Sequence, residues 1–262
     1  MNIHLISIID KTIEEGMKKL LLPLGETFSF YYKEDGQLVL LADKLVEFYL
    51  LFFQHIGFLT IDFAYSKPTV VMDIHIKNTT GLAENPLHRR LRNLLEIIIP
   101  KTQQQETLLL PVHLHYGLPY EVFLVTGFSV IESGNHKIKS MLHELGIPRK
   151  SLQSPPPHLQ YVKEAVEKFG RAEFTSIHKL ARQYNKSYNQ FQRDCKEFFG
   201  DTFYQFYNKK KMLKVVDDIL FSRLSLKEIA WKNSFADYNS MYKLFRKYTR
   251  LSLMAIPRFY IK

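Results

Sequence analysis

A stretch of polar side chains near the C-terminus has the composition of a binding surface rather than of an ordinary solvated helix face. In Leu224–Tyr248 the apolar residues recur at helical spacing and end in Met241, Phe245 and Tyr248. The positions between them carry amide, hydroxyl, phenol and cationic groups and almost no acid. These positions are Asn239, Ser240, Tyr242, Lys243, Arg246 and Lys247. Such groups can hydrogen-bond to base edges and contact phosphates.

The charge of the chain is concentrated in the same region. The 262 residues carry a net charge of +10. From Ser154 onward there are 21 Lys and Arg against 10 Asp and Glu, whereas residues 1–153 contain 15 against 16. This asymmetry is expected when one domain faces a polyanion and the other does not. Three prolines, Pro155–Pro157, lie at the charge step and favour an extended linker. We therefore predict a domain at 1–150, a linker at 151–158 and a second domain at 159–262.

The second domain is predicted to be helical and to contain one pattern twice. Each copy is a short helix, a tight turn and a second helix with a polar exposed face, at Ser176–Gly200 and Ser225–Arg250. The helix Thr202–Phe221 joins the copies. This pattern is typical of two helix-turn-helix units on one chain, which could fill adjacent major grooves. The predicted helix caps are Ser187 with Gln190, Thr202 with Gln205, Ser225 with Glu228, and Asp237.

The first domain shows the alternating pattern of half-buried strands, interrupted by helical segments. The predicted strands are Phe58–Ser66, Val71–Asn78 and Glu121–Ile131, and the predicted helices are Lys11–Leu22, Pro86–Ile97 and Ile138–Leu145. We expect a β-rich sandwich or small barrel that carries a few helices. The expected fold class of the whole chain is therefore α+β.

The second domain resembles the AraC family of bacterial transcription regulators. The matching residues in the C-terminal unit are S-L-K-E-I-A at Ser225–Ala230, Phe235 after the turn, and M-Y-K-L-F-R-K-Y-T at Met241–Thr249. The first unit matches through S-I-x-x-L-A from Ser176, and through Ser187, Phe191, Arg193 and Gly200. Ser234 and Cys195 stand where the family commonly has Gly and Phe. The resemblance covers about Leu159–Arg258.

This resemblance implies a sequence-specific DNA-binding regulator, not an enzyme, which inserts helices near 187–199 and 238–248 into the major groove. The residues expected to contact bases are Asn189, Gln192 and Arg193 in the first unit and Asn239, Ser240 and Lys243 in the second. The other residues expected at the DNA are Lys186, Ser187, Gln190, Tyr238, Tyr242 and Lys247. Double-stranded DNA is the expected partner, with RNA polymerase, a small-molecule effector and a second copy of the chain as further candidates. A bacterial activator without a cofactor is expected.

One segment of the first domain carries a different chemistry. The spacing of His113, His115, Glu121 and Gly127 resembles the metal-binding motif of cupins, whose barrel is the usual partner domain in AraC-type regulators. We expect both histidines on one face of a strand, Gly127 at a turn, and no bound metal. The alternative hypothesis is a metal-dependent cupin-type enzyme with a helical accessory domain, which would bind metal through His113, His115 and Glu121. A third hypothesis is a regulator whose first domain only dimerises.

The remaining features favour an intracellular protein with ordinary packing. The single Cys195 cannot form an internal disulfide and is expected to be a buried, inert thiol. The apolar stretch Phe48–Ile61 is too short to cross a bilayer, and Met1–Asp10 lacks the pattern of a signal peptide. Cytoplasmic localisation is expected. Trp231 is expected to pack inside the helical domain.

Overall fold

The computed structural model describes residues 1–21, 37–60, 65–66, 70–75, 85–98, 108–131, 137–169 and 176–259. The chain divides into two compact units. The N-terminal unit comprises Ile9–Ser151 and Phe259–Lys262, and the C-terminal unit comprises Leu152–Arg258 together with Met1–Ile8. Among the described residues, no helix has both the length and the apolar character needed to cross a membrane.

The described residues of the N-terminal unit include an antiparallel sheet of five strands. The central strand β4 pairs with β3 on one side and with β5 on the other, and both β1 and β2 pair with β5. Val112, Gly127 and Leu142 are direct partners across the three long strands. The strands are β1 (Tyr65–Ser66), β2 (Val70–His75), β3 (Leu108–Gly117), β4 (Glu121–Ile131) and β5 (Lys137–Pro148).

Helices cover both faces of this sheet. They are α1 (Ile3–Leu21), α2 (Gln37–His55) and α3 (Pro86–Ile98). Leu87, Leu91 and Leu95 recur every four residues on α3 and pack in one buried cluster with Phe123 and Leu142. The opposite face of the sheet contacts α1 and α2, which place carboxylates beside histidines of β3 and β5. The unit is thus a sheet between two helical layers.

Gly127 lies where the backbones of β4 and β5 approach closely. A Cβ atom built on Gly127 would lie 2.0 Å from the carbonyl oxygen of Met141, so a larger residue does not fit there. The prediction of a turn at Gly127 was wrong, because this glycine lies in the middle of β4. Its role is to allow two backbones to approach, not to reverse the chain.

The expected α+β class is confirmed. The strand at Glu121–Ile131 and the helix near Pro86–Ile97 are also confirmed, as β4 and α3. The predicted strand Val71–Asn78 is found as β2 up to His75, and its last three residues lie outside the described residues. Of the predicted strand at 58–66, residues 61–64 lie outside the described ranges, 58–60 are not in a strand, and only 65–66 form one.

Two other predictions for this unit differ from the structure. The predicted helix Ile138–Leu145 is wrong, because these residues belong to β5 and pair with β4 throughout. Their apolar residues have helical spacing, but pairing on both sides of the segment decides its conformation. The 19-residue helix α2 was not predicted at all. The strands that are described form a single sheet rather than a sandwich or a closed barrel.

The C-terminal unit is helical, as predicted. Its helices are α4 (Tyr161–Lys168), α5 (Ile177–Gln183), α6 (Tyr188–Phe199), α7 (Phe203–Phe221), α8 (Leu226–Lys232) and α9 (Tyr238–Tyr248). Aromatic rings form much of its core. Phe199 stacks on Phe206 with ring centroids 3.7 Å apart, and Phe191 contacts Phe203. These contacts fix α6 against α7.

The first residues of the chain belong to this helical unit. The side-chain amide of Asn2 donates a hydrogen bond to the carbonyl oxygen of Phe198. The ring of His4 stacks on the ring of Phe198, with centroids 5.0 Å apart. The backbone N–H of Ile3 donates to the carbonyl oxygen of Gln153 at 3.1 Å. The N-terminal segment therefore braces the C-terminal end of α6.

Candidate nucleic-acid interface

The first helix-turn-helix unit consists of α5 and α6. Ser187 caps α6, since its hydroxyl oxygen accepts a hydrogen bond from the backbone N–H of Gln190 at 3.2 Å. The helix ends at Gly200, whose φ of 82° is left-handed. Only half of the predicted capping box forms, because the side-chain oxygen of Gln190 accepts from Arg193 at 2.8 Å and its amide nitrogen donates to Asp194 at 2.5 Å.

The buried carboxylate of Asp194 organises this unit. It accepts hydrogen bonds from the Tyr161 hydroxyl and from Gln190, and the ammonium of Lys186 lies 3.8 Å away. Burial and the hydrogen bond to Asp194 raise the pKa of the Tyr161 hydroxyl. Asp194 thus joins α4, the turn and α6 at one point. The sequence did not indicate this role, because Tyr161 lies 33 residues before Asp194 along the chain.

The second unit consists of α8 and α9, and its predicted caps are confirmed. Ser225 and Glu228 form a reciprocal capping box at the start of α8. The carboxylate of Asp237 accepts a hydrogen bond from the backbone N–H of Ser240 at 2.6 Å, which caps α9. This hydrogen bond lowers the pKa of the Asp237 carboxyl, so the cap remains charged well into the acidic range.

The turns of the two units have the same backbone hydrogen bonds. In the first, the N–H of Lys186 donates to the carbonyl of Ala181 at 3.0 Å. In the second, the N–H of Phe235 donates to the carbonyl of Ala230 at 2.9 Å. A second pair also recurs, since Asn185 donates to Arg182 and Ser234 donates to Trp231, both at 2.9 Å. The units therefore share one local geometry.

Each turn requires a residue with a left-handed backbone. Asn185 has a φ of 55° and Ser234 a φ of 56°. Asparagine tolerates this conformation better than most residues, but serine does not share the preference. The turn at Ser234 has additional support from α7: the ammonium of Lys211 donates to the Ser234 carbonyl at 2.9 Å and lies 3.8 Å from the centre of the Phe235 ring.

The connecting helix α7 begins with the predicted capping box of Thr202 and Gln205. Two of its central lysines make internal contacts. Lys209 pairs with Asp201 at 2.6 Å, and Lys211 holds the second turn. Burial lowers the pKa of both Lys210 and Lys211. The lysine-rich centre of α7 is therefore part of the packing of this unit.

The predicted DNA-contacting residues fall into two groups by exposure. Asn189 and Arg193 lie four residues apart on the exposed face of α6, and Asn239 and Lys243 are spaced in the same way on α9. The other exposed members are Ser187, Ser240, Tyr242 and Lys247. The half-buried members are Lys186, Gln190, Gln192 and Tyr238.

Gln192 and Arg193 make different contacts although they are neighbours. The side-chain oxygen of Gln192 accepts a hydrogen bond from the backbone N–H of Phe203 at 3.2 Å, at the start of α7. The guanidinium of Arg193 donates to the side-chain oxygen of Gln190 at 2.8 Å on the surface. An exposed hydrogen bond of this kind is easily exchanged for one to a ligand. Arg193 is therefore available to a partner, whereas Gln192 helps to connect two helices.

Two expectations about single residues had opposite outcomes. Cys195 is buried, as predicted, and burial raises the pKa of its thiol to about 12. The prediction that Trp231 packs inside the domain was wrong, because its side chain is 83% exposed. Trp231 lines a cleft beside the start of α9 together with Lys227 and Asn239.

Comparison with known families identifies the same region. Residues 180–256 match the family model of a helix-turn-helix domain, from α5 to beyond the end of α9. No curated protein matches the chain, and neither does any solved structure.

Proposed function

We propose that this chain, whose residues 180–256 form an AraC-type helix-turn-helix domain, is a transcription regulator that places α6 and α9 in two successive major grooves of DNA. The observation that carries the proposal is the repeated turn. Lys186 with Ala181 and Phe235 with Ala230 make the same hydrogen bond, so each unit presents its second helix in the same manner. In a helix-turn-helix, this second helix enters the major groove.

The length of α7 supports the two-groove arrangement. The helix has 19 residues, which corresponds to ~28 Å at ~1.5 Å per residue. Successive major grooves on one face of DNA lie ~34 Å apart. Because Lys211 fastens the second turn to α7, the spacing between the two units is set by a rigid element. One chain then suffices to contact both grooves.

The exposed side chains on α6 and α9 have chemistry suited to base edges. Asn189 and Asn239 offer amides that can pair with adenine, and Arg193 offers a guanidinium that can pair with guanine. Ser240 and Lys243 complete the proposed base contacts on α9. Gln192 is reassigned as a residue that positions α7, because its side-chain oxygen already accepts a hydrogen bond.

Phosphate contacts are proposed for the residues that flank these helices. Lys247 and Tyr242 are exposed on α9, and Ser187 lies at the start of α6. The ammonium group of Lys186 lies 3.8 Å from the Asp194 carboxylate, and its backbone is part of the first turn. The Lys186 side chain is still partly exposed. Gln190 and Tyr238 are proposed to support these groups. The excess of 21 basic over 10 acidic residues from Ser154 onward favours binding to any duplex.

The N-terminal unit is proposed to regulate and not to bind DNA. Its part of the sequence has no excess positive charge, and its sheet lies between helices that enclose polar side chains. We propose that it binds a small effector or a second copy of the chain, and that the protein acts as a non-enzymatic activator in the bacterial cytoplasm, where RNA polymerase is a further partner. The cupin-type enzyme is not proposed, because Glu121 lies on the sheet face opposite to His113 and His115.

Selection of binding sites from random duplexes with the full chain tests the proposal. We expect one preferred site with two recognised segments about one helical turn apart. Insertion of about 5 bp between these segments, which rotates them by half a turn, should weaken binding about 10-fold or more, since one set of base contacts is lost. Fluorescence anisotropy with labelled duplexes measures the change.

A second insertion distinguishes two units held at a fixed spacing by α7 from two units that can move apart along the DNA. Insertion of about 10 bp restores the rotational phase but lengthens the spacing by a full turn. Affinity should stay low, because α7 cannot lengthen. Recovery at this spacing would contradict the two-groove arrangement, and the absence of any sequence-selective binding would contradict the regulator.

A further inference from the structure

One cluster of metal-ligating side chains lies in the N-terminal unit, whereas the residues proposed to contact DNA belong to the C-terminal unit. His113 and His115 are two residues apart on β3 and therefore project from the same face of the sheet. Asp10 of α1 lies over this face. Its Oδ1 atom is 3.0 Å from Nε2 of His115 and 3.1 Å from Nε2 of His113. The two imidazole rings meet edge to face, with centroids 5.2 Å apart.

The spacing of these three atoms fits a single metal ion. The possible ligand atoms of Asp10, His113 and His115 all lie within 4.8 Å of one another. Ligands bound at about 2.0–2.1 Å with angles between 90° and 109° are separated by about 2.9–3.4 Å. The observed nitrogen–oxygen distances of 3.0 and 3.1 Å fall in this range.

The chemistry of the ligands selects the class of ion. Two imidazoles and one carboxylate are preferred by zinc, nickel, cobalt and ferrous iron, whereas magnesium and calcium prefer oxygen ligands alone. Glu14 lies one turn after Asp10 on α1, and its Oε2 atom is 3.8 Å from Nε2 of His113. A second carboxylate is thus close enough to add negative charge to the site. Its other oxygen pairs with Lys18 at 2.8 Å.

The polar atoms around His113 are a second, independent indication of a metal site. Nδ1 of His113 and Oγ1 of Thr126 are buried and make no hydrogen bond within the described part of the chain. The two residues are direct partners on β3 and β4. Both line a cavity of ≈ 20 Å³. A cavity of that size holds one water, the usual outer partner that orients a metal-bound histidine.

We propose that Asp10, His113 and His115 bind one divalent transition-metal ion of the zinc class. Three protein ligands leave at least one coordination position for water or for a small ligand. His115 is the exposed edge of the site, with half of its side chain accessible, whereas the other two ligands are mostly buried. The expectation from the sequence was that no metal binds, and the alternative hypothesis used Glu121; in the proposed site α1 supplies the carboxylate instead. The binding does not depend on the proposed DNA interaction.

Protons and the metal ion compete for the same imidazole nitrogens, so the metal affinity should depend on pH. The hydrogen bond to Asp10 raises the pKa of His115, while the contacts with both histidines hold the pKa of the Asp10 carboxyl, against the effect of burial, at about 2. The carboxylate is therefore ionised at neutral pH, and His115 must lose its proton before it binds metal. The other titratable groups nearby are Glu14 on α1 and the His143–Asp43 pair between β5 and α2. Because a proton and a metal ion compete for each imidazole nitrogen, affinity should rise with pH.

Calorimetric titration of the chelator-treated full chain with Zn²⁺ tests the proposal. We expect one ion per chain, bound more tightly at pH 8 than at pH 6. His115→Ala removes an exposed ligand with little effect on packing, and Asp10→Asn keeps the shape of the side chain. Each should weaken binding by about 100-fold or more, beyond the effect of losing an outer partner. Co²⁺ absorption in the visible range would report the number of ligands.

Two matched variants serve as controls. His158→Ala removes an exposed histidine before α4, and Glu121→Gln removes the carboxylate on the opposite sheet face. Neither should change the affinity for Zn²⁺ or the Co²⁺ spectrum. The proposal is overturned if the chain binds no Zn²⁺, if Asp10→Asn and His115→Ala bind like the unchanged chain, or if Glu121→Gln alone abolishes binding. Circular dichroism of every variant confirms that the fold is retained.

Discussion

The two units of this chain place their polar side chains in opposite ways. In the C-terminal unit, Asn189, Arg193, Asn239 and Lys243 project from the exposed faces of short helices. In the N-terminal unit, His113 and Thr126 lie on a sheet face that is covered by helices. An exposed polar face can contact a large polyanion along its whole length, whereas an enclosed one suits a small ligand. The arrangement of the side chains thus indicates the size of the partner.

The units also differ in what holds them together. The C-terminal unit relies on local hydrogen bonds, such as the caps at Ser187, Ser225 and Asp237, and on rings packed between neighbouring helices. The N-terminal unit depends on strand pairing between distant segments, with β5 contacting β1, β2 and β4. Damage to a cap should therefore stay local, whereas damage to the central strands should affect the entire sheet. Substitutions matched between the units test this difference.

The largest effect is expected at a glycine of the sheet. Gly127→Ala would place a methyl group 2.0 Å from the Met141 carbonyl oxygen, so β4 and β5 must separate. We expect the free energy of unfolding to fall by roughly 4 kcal/mol or more, which exceeds the loss of about 1–3 kcal/mol that overpacking a core usually causes. Gly200→Ala is the matched change in the helical unit, where the new methyl group meets no atom within 4 Å. Only the left-handed backbone then opposes it, and we expect about 1 kcal/mol.

Hydrogen exchange measured by mass spectrometry separates these two outcomes. Gly127→Ala should accelerate exchange in all peptides of β3, β4 and β5. Gly200→Ala should affect only peptides near the end of α6. Equal and local effects for both substitutions would contradict the contrast between a cooperative sheet and locally stabilised helices.

The same contrast explains which features could be predicted from the sequence. The caps of α7, α8 and α9 were predicted correctly because each depends on residues three positions apart. The strand β5 was predicted as a helix because Ile138, Leu142 and Leu145 have helical spacing, and the pairing that overrides it involves distant segments. Local signals were sufficient for the helical unit but not for the sheet.

The candidate sites follow the same rule. The pairing of His113 with His115 on one strand face was predicted from their spacing, and it is confirmed. Their contact with Asp10 could not be predicted, because more than a hundred residues separate Asp10 from both histidines along the chain. On the DNA side, the exposed positions of Asn189 and Asn239 follow from helical periodicity. The internal hydrogen bond of Gln192 depends on the tertiary packing of α6 against α7.

An intermediate effect is expected from the buried carboxylate of the helical unit. Asp194→Ala would remove the partner of the Tyr161 hydroxyl and leave Lys186 without its nearby charge. We expect a loss of about 3 kcal/mol, typical of a buried hydrogen bond to a charged group. Urea unfolding followed by circular dichroism measures it. Glu197→Ala, an exposed acid on the same helix, should change stability by less than about 0.5 kcal/mol. Similar losses for both variants would show that Asp194 does not organise the unit.

The smallest and most specific effects are expected at the exposed helix faces. Arg193→Ala and Asn239→Ala should each cost about 1–3 kcal/mol on the preferred site and relax the preference at one or two base pairs. Lys247→Ala should weaken binding to all duplexes alike and lower the slope of log affinity against log salt by about 0.9. Gln192→Ala is the matched change on α6: it should lower stability through the lost contact with Phe203 while base preference stays the same. Binding-site selection at two salt concentrations measures all four variants, and one common pattern among them would contradict the assignment of separate base, phosphate and packing roles.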